Sequence, residues 1–198
     1  MIKRPAQFYN LNKFVIQPEK ASSKAANVWN ILNPGGVKLG TVAHTPDSLL
    51  VRFLRAIKFH ANFGTKIAIC DAEGNPIASI TKPFSLGLFE ARIKDVDGPL
   101  GTIKEIKQGL EGRRYVFYNI EGKELGCIEG DWRTERLQMK DPHTASLGKL
   151  TRRLEELNKA IFDEKSNYYV VDLYIDPKNV RWRKMLLCGA AAIDVLLR

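Results

Sequence analysis

The chain has 198 residues, 44% hydrophobic and 27% charged, a balance that suits a folded globular protein and argues against a disordered or membrane-embedded one. Thirty-one Lys and Arg against 22 Asp and Glu leave a formal charge of +9, which biases encounters toward anionic partners such as phospholipid headgroups or nucleic acid. Cys70, Cys127 and Cys188 are odd in number and form no C-x-x-C pair, so reduced thiols are expected in place of a disulfide framework or zinc site. The stretch from Met1 to Tyr9 has no apolar run of a secretory signal, and the expected location is cytoplasmic.

In chain order, short segments of alternating apolar and polar residues, rich in β-branched and aromatic types, predict twelve strands. They lie near 14–16, 28–31, 38–43, 66–70, 76–81, 90–95, 100–107, 114–119, 124–129, 135–140, 145–152 and 168–173. A pattern of apolar, Gly or Ala, any residue, apolar returns at Leu39–Val42, Ile77–Ile80, Leu100–Ile103, Leu125–Ile128 and Leu147–Leu150, and the last four are about 22 to 25 residues apart. Turn signals such as Glu73-Gly74-Asn75-Pro76, Asp97-Gly98-Pro99 and Glu121-Gly122-Lys123 introduce several of these units, so each reads as strand, turn, strand. The rhythm predicts a mainly β fold over residues 1–198 as one domain, a sandwich or a closed antiparallel barrel.

Three stretches break the rhythm. Ser48 to Phe59 predicts a short amphipathic helix with Leu49, Phe53 and Ile57 on one face and Arg52, Arg55 and Lys58 on the other. Those three cations are candidate lipid-binding residues, and the alternative is that the helix caps a barrel end with its charges solvated. Leu154 to Phe162 predicts a second helical turn or two. The third stretch, from about Lys178, is apolar nearly all round between Met185 and Leu197. A bilayer span needs about 20 apolar residues. This run has 13 and carries Asp194, so burial inside protein is expected. Met185, Leu186 and Ile193 are its core residues, Gly189 allows close approach of neighbouring strands, and Asp194 needs an Arg or backbone N–H partner if buried.

Metalloprotease, P-loop and nucleophile-elbow motifs are missing from the sequence, and His44, His60 and His143 are scattered. No catalytic constellation, cofactor or small-molecule substrate is therefore expected.

Several segments nevertheless resemble one family. Phe8-Tyr-Asn-Leu-Asn-Lys-Phe-Val-Ile-Gln17, Asp71-Ala-Glu-Gly-Asn-Pro76, Lys82-Pro-Phe84 and Leu100-Gly-Thr-Ile103 are similar to the opening strand and hairpin signatures of the phospholipid scramblase family and its tubby-like relatives. Leu150-Thr-Arg-Arg153, Ala160-Ile-Phe162, Asn167-Tyr168, Trp182-Arg-Lys-Met-Leu-Leu-Cys-Gly-Ala190 and Ile193-Asp194 follow in that family's order and spacing. The resemblance covers most of the chain and implies a closed barrel of twelve strands threaded by the C-terminal helix. It also implies binding to anionic phospholipids, assistance to their movement between leaflets, and a peripheral position at the inner face of a membrane. The family's calcium segment departs here, since Lys165 and Ser166 stand where a second acid belongs. Asp163, Glu164, Asn167 and Asp172 would then make at best a weak calcium site, because calcium seeks six to eight oxygens. The competing expectation is a soluble barrel scaffold for a protein partner or, less favoured, nucleic acid.

Overall fold

Alternation places every second side chain on one face of a strand, and here twelve strands close on themselves so that the apolar faces look inward. The computed structural model describes residues 7–19, 28–44, 64–83, 89–108, 112–131, 136–152, 168–175 and 180–197. Its strands are β1 (Lys13–Pro18), β2 (Val28–Leu32), β3 (Lys38–His44), β4 (Thr65–Asp71), β5 (Pro76–Lys82), β6 (Glu90–Asp95), β7 (Gly98–Gln108), β8 (Gly112–Asn119), β9 (Glu124–Asp131), β10 (Arg136–Lys140), β11 (Ser146–Arg152) and β12 (Tyr169–Leu173). Each pairs antiparallel with its neighbours in the chain, and β12 pairs with β1 to close the barrel. All twelve expected strands are present, and their ends agree with the sequence reading to within two residues.

The apolar-Gly/Ala-x-apolar repeat marks a recurrent distortion. Between β2 and β3, Lys38 faces Leu32 and Gly40 faces Ile31, so Leu39 is an extra residue without a partner on β2. Ile77, Leu100, Leu125 and Leu147 are skipped in the same way in the other four hairpins. One extra residue is a β-bulge, which bends its strand and increases the local twist. Five bulges at one end of the barrel supply curvature that closure requires. The next residue is small for a reason of space: a Cβ on Gly40, Gly101, Gly126 or Gly148 would run into the main-chain carbonyl of Cys70, Tyr118, Lys140 or Asp172 on the adjoining strand.

Four hairpins at that end share one turn design. The side chains of Asn33, Asp71, Asn119 and Asp141 accept from the backbone N–H four residues on, at 2.7–2.9 Å. Their carbonyls accept from the N–H of Gly36, Gly74, Gly122 and Thr144. Those four residues all have positive φ, which Gly adopts freely and a β-branched Thr144 (φ 69°) does not. The β6–β7 hairpin departs from the design. It turns in two residues, Val96 and Asp97, and its Asp95 carboxylate accepts from the N–H groups of Asp97 (2.9 Å) and Gly98 (3.1 Å).

Asp95 is special because the C-terminal helix α1 (Val180–Leu197) is fastened there. The helix enters at the hairpin end and fills the lumen: Met185, Leu186, Leu187 and Cys188 are fully buried, and Phe117 stacks edge-on against Trp182 at 5.7 Å. A Cβ on Gly189 would collide with the Phe117 ring, so glycine there lets β8 and the helix meet. Met185, Leu186 and Gly189 thus occupy the core as expected, whereas the side chains of Ile193 and Asp194 lie outside the described atoms.

Three cations in the first two turns of α1 oppose its dipole. Each is held by oxygens of the barrel or of the segments that flank β1 and β12. Arg181 donates to the Pro99 carbonyl (3.2 Å), and Lys184 reaches Asp95 (2.6 Å) and Asp97 (3.1 Å) and lies 5.1 Å above the Tyr9 ring. Arg183, 2% exposed, donates to the carbonyls of Tyr9 (2.7 Å), Ile175 (3.2 Å) and Leu11 and to Asn12 Oδ1 (2.7 Å). The predicted helices over 48–59 and 154–162 fall outside the described residues.

Candidate anion-binding groove

Most apolar side chains turn inward, although Val15, Val170 and Leu32 form a small second cluster with Tyr168 on the outer face of β1, β12 and β2. Elsewhere the outer wall is polar and its charges are unevenly matched. On β8 to β10, Arg114 pairs with Glu124 (3.1 Å) and Glu129 (3.6 Å), and Lys140 pairs with Glu129 (2.8 Å). The Lys140 ammonium, with Arg114 adding to it, holds the Glu129 carboxyl below its ordinary range in spite of partial burial. On β1, β11 and β12, Lys13 and Lys149 share Asp172, at 3.6 Å each. The first patch is balanced, and the second keeps one unmatched positive charge.

The β5–β8 wall is different. In β6 the residues Ala91, Ile93 and Asp95 are buried, and Arg92 and Lys94 point outward between them. The register sets Thr81, Arg92, Thr102 and Tyr118 side by side across four strands. Lys94 lies two residues from Arg92 toward the hairpin end, and Lys104 two residues from Thr102 the other way. One pleat repeat is about 7 Å, so the three cations span about two repeats. They border an open groove of about 960 Å³ whose described lining residues include three basic and no acidic ones.

Its floor is formed by Ile93, Gly101 and Thr102, with Pro99, Ile120 and Gly122 at the hairpin end. Lys104 is partly engaged, with Nζ 3.2 Å from Glu90 and 6.0 Å above the Tyr118 ring. Both partners of that ion pair are nearly half exposed, which limits it to under about 1 kcal/mol. Among the described residues, Arg92 and Lys94 make no ion pair or side-chain hydrogen bond. The groove thus offers two free cations, a third weakly held one and the hydroxyls of Thr81, Thr102 and Tyr118, the donor set of a site for phosphate oxygens.

The sequence reading did not single out these residues. Arg92, Lys94 and Lys104 alternate with apolar residues in their strands, so their outward direction was visible. That they share a face with Tyr118 depends on register, which the sequence alone does not specify. The residues it did single out are placed as follows. Arg52, Arg55 and Lys58 fall outside the described residues, as do Asp163, Glu164 and Asn167. Asp172 is described, and it sits between Lys13 and Lys149. Among the described residues no three His, Cys, Asp or Glu side chains come together as a metal-holding group, and no helix is long and apolar enough to cross a membrane.

No protein-family model matches the chain, and no curated protein matches it. Among solved structures, an X-ray structure of a protein from Arabidopsis thaliana is similar over 92% of this chain and 91% of that one, with a TM-score of 0.50 and 15% sequence identity. At that identity the likeness is one of fold: this chain shares its overall architecture with that plant protein.

Proposed function

We propose that this protein docks on membranes containing anionic phospholipids, with the β5–β8 groove receiving headgroup phosphates. The observation that carries the reading is the pair of free cations, Arg92 and Lys94, in a groove with Lys104, Thr81, Thr102 and Tyr118 and, among the described residues, without a lining carboxylate. Cations near an anionic leaflet contribute about 1 kcal/mol each, so three give about 3 kcal/mol, or roughly a hundredfold in partitioning. The resemblance to the phospholipid scramblase family and the formal charge of +9 agree with this reading. It concerns docking, since α1 occupies the lumen that a headgroup would need for passage through the barrel.

The test is co-sedimentation with neutral and with anionic vesicles across a salt series. Binding to anionic vesicles alone, weakened at least tenfold by Arg92→Glu with Lys94→Glu, is expected. Equal binding of the double variant would refute the groove as the docking site.

A further inference from the structure

The groove has an apolar lip at the hairpin end of the barrel. Ile120, at the β8–β9 turn, is 52% exposed and lines the groove together with Pro99. Pro99 also lines a smaller adjoining cleft with Val180, the first residue of α1, which is 54% exposed. Val96, at the tip of the β6–β7 turn between Asp95 and Asp97 of that cleft, is 55% exposed. Three large apolar side chains therefore stand out from three adjacent segments beside the cationic groove.

Charges around the lip are largely cancelled. Lys184 is held by both Asp95 and Asp97, whose second negative charge is matched by Arg181 on the same turn of α1, and Glu121 and Lys123, which follow Ile120 in its turn, have opposite signs. The lip is thus close to neutral and apolar, and the unbalanced positive charge lies just behind it, on Arg92, Lys94 and Lys104. An anionic bilayer suits that order, because its phosphates lie a few Å above its acyl chains, and interfacial apolar side chains enter about 5–10 Å.

We infer that the protein meets an anionic bilayer hairpin end first, with Ile120, Val180 and Val96 entering the headgroup–acyl boundary while Arg92, Lys94 and Lys104 take phosphates at the groove. This rests on the docking reading above and adds its orientation. The lip also ties docking to the lumen helix, since Val180 begins α1 and Arg181 and Lys184 fasten that turn to β6 and β7.

The experiment attaches an environment-sensitive fluorophore to the full chain through Ile120→Cys or Val180→Cys. The background is Cys70→Ser, because Cys127 and Cys188 are buried. A control label sits at Lys149→Cys on β11, five strands around the barrel from β6. With vesicles rich in anionic lipid, a blue shift at 120 and 180 and none at 149 is expected. Ile120→Asn with Val180→Asn should weaken vesicle binding about tenfold, as expected for two half-exposed aliphatic side chains that become buried. Co-sedimentation that persists without a shift at 120 or 180 would overturn the orientation and leave docking intact. Absence of binding to any vesicle would overturn the docking reading and this inference with it.

Discussion

Arg183 offers the sharpest perturbation of the fold. Among the described residues its guanidinium is buried without a carboxylate and serves four neutral acceptors: the carbonyls of Tyr9, Leu11 and Ile175 and the Asn12 side chain. Burial pulls its pKa down, a sign that the charge is costly to keep there. Arg183→Met strands those acceptors, at about 1 kcal/mol each, for about 4 kcal/mol in all. Removing a poorly solvated charge returns about 1 kcal/mol, leaving a net loss of about 3 kcal/mol. Urea unfolding followed by tryptophan fluorescence should show the midpoint fall by about 1.5 M at a slope of about 2 kcal/mol/M. Arg183→Lys keeps the charge but loses the fork, and should fall between the two. A loss under about 1 kcal/mol for Arg183→Met would refute the view that this side chain fastens α1 to the 7–12 segment.

Other consequences follow from the hairpins and the outer wall. Thr144→Gly relieves a positive φ that the three sister turns fill with glycine, and should raise stability by about 1 kcal/mol in thermal unfolding. A decrease would show that the Thr144 side chain has a role of its own. Gly126→Ala sets a Cβ against the Lys140 carbonyl and the Trp182 ring and should cost about 2–3 kcal/mol, whereas Gly74→Ala meets no neighbour and should cost only about 1 kcal/mol. Equal costs would contradict the spatial account of the repeat. Glu129 is held below its ordinary range when folded, so its contribution is complete above the unfolded value of about 4.3 and is lost as pH falls through the folded value. Denaturant midpoints measured between about pH 5 and 3 should therefore drop less steeply in Glu129→Gln than in the parent chain, and an unchanged slope would deny the Lys140 and Arg114 pairing.

The sequence conveys the wall better than the connections between its parts. Alternation locates twelve strands because burial imposes a period of two, and the uniform apolarity of the run that begins at Met185 places the helix inside, where the side chains of Met185–Ala191 are buried on every side. The repeat was visible, but its meaning as a bulge requires knowing which residue on the neighbouring strand is skipped. Asp194 drew attention as a charge in an apolar run, while the described buried charges that fasten the helix are Arg183 and Asp95, 88 residues apart in the chain. Asp95 looks like an ordinary turn residue until the helix is in place. The groove was hidden for the same reason: Arg92, Lys94 and Lys104 are unremarkable outward cations, and only register gathers them with Tyr118.

The docking account is tested most directly by nuclear magnetic resonance titration of the labelled protein with a soluble short-chain anionic phospholipid, set against a zwitterionic analogue of the same chain length. The account predicts saturable shifts centred on Arg92, Lys94, Thr102, Lys104 and Tyr118 for the anionic lipid only, with the Asp172 wall unmoved. Shifts centred on another wall, or equal shifts with both lipids, would contradict it.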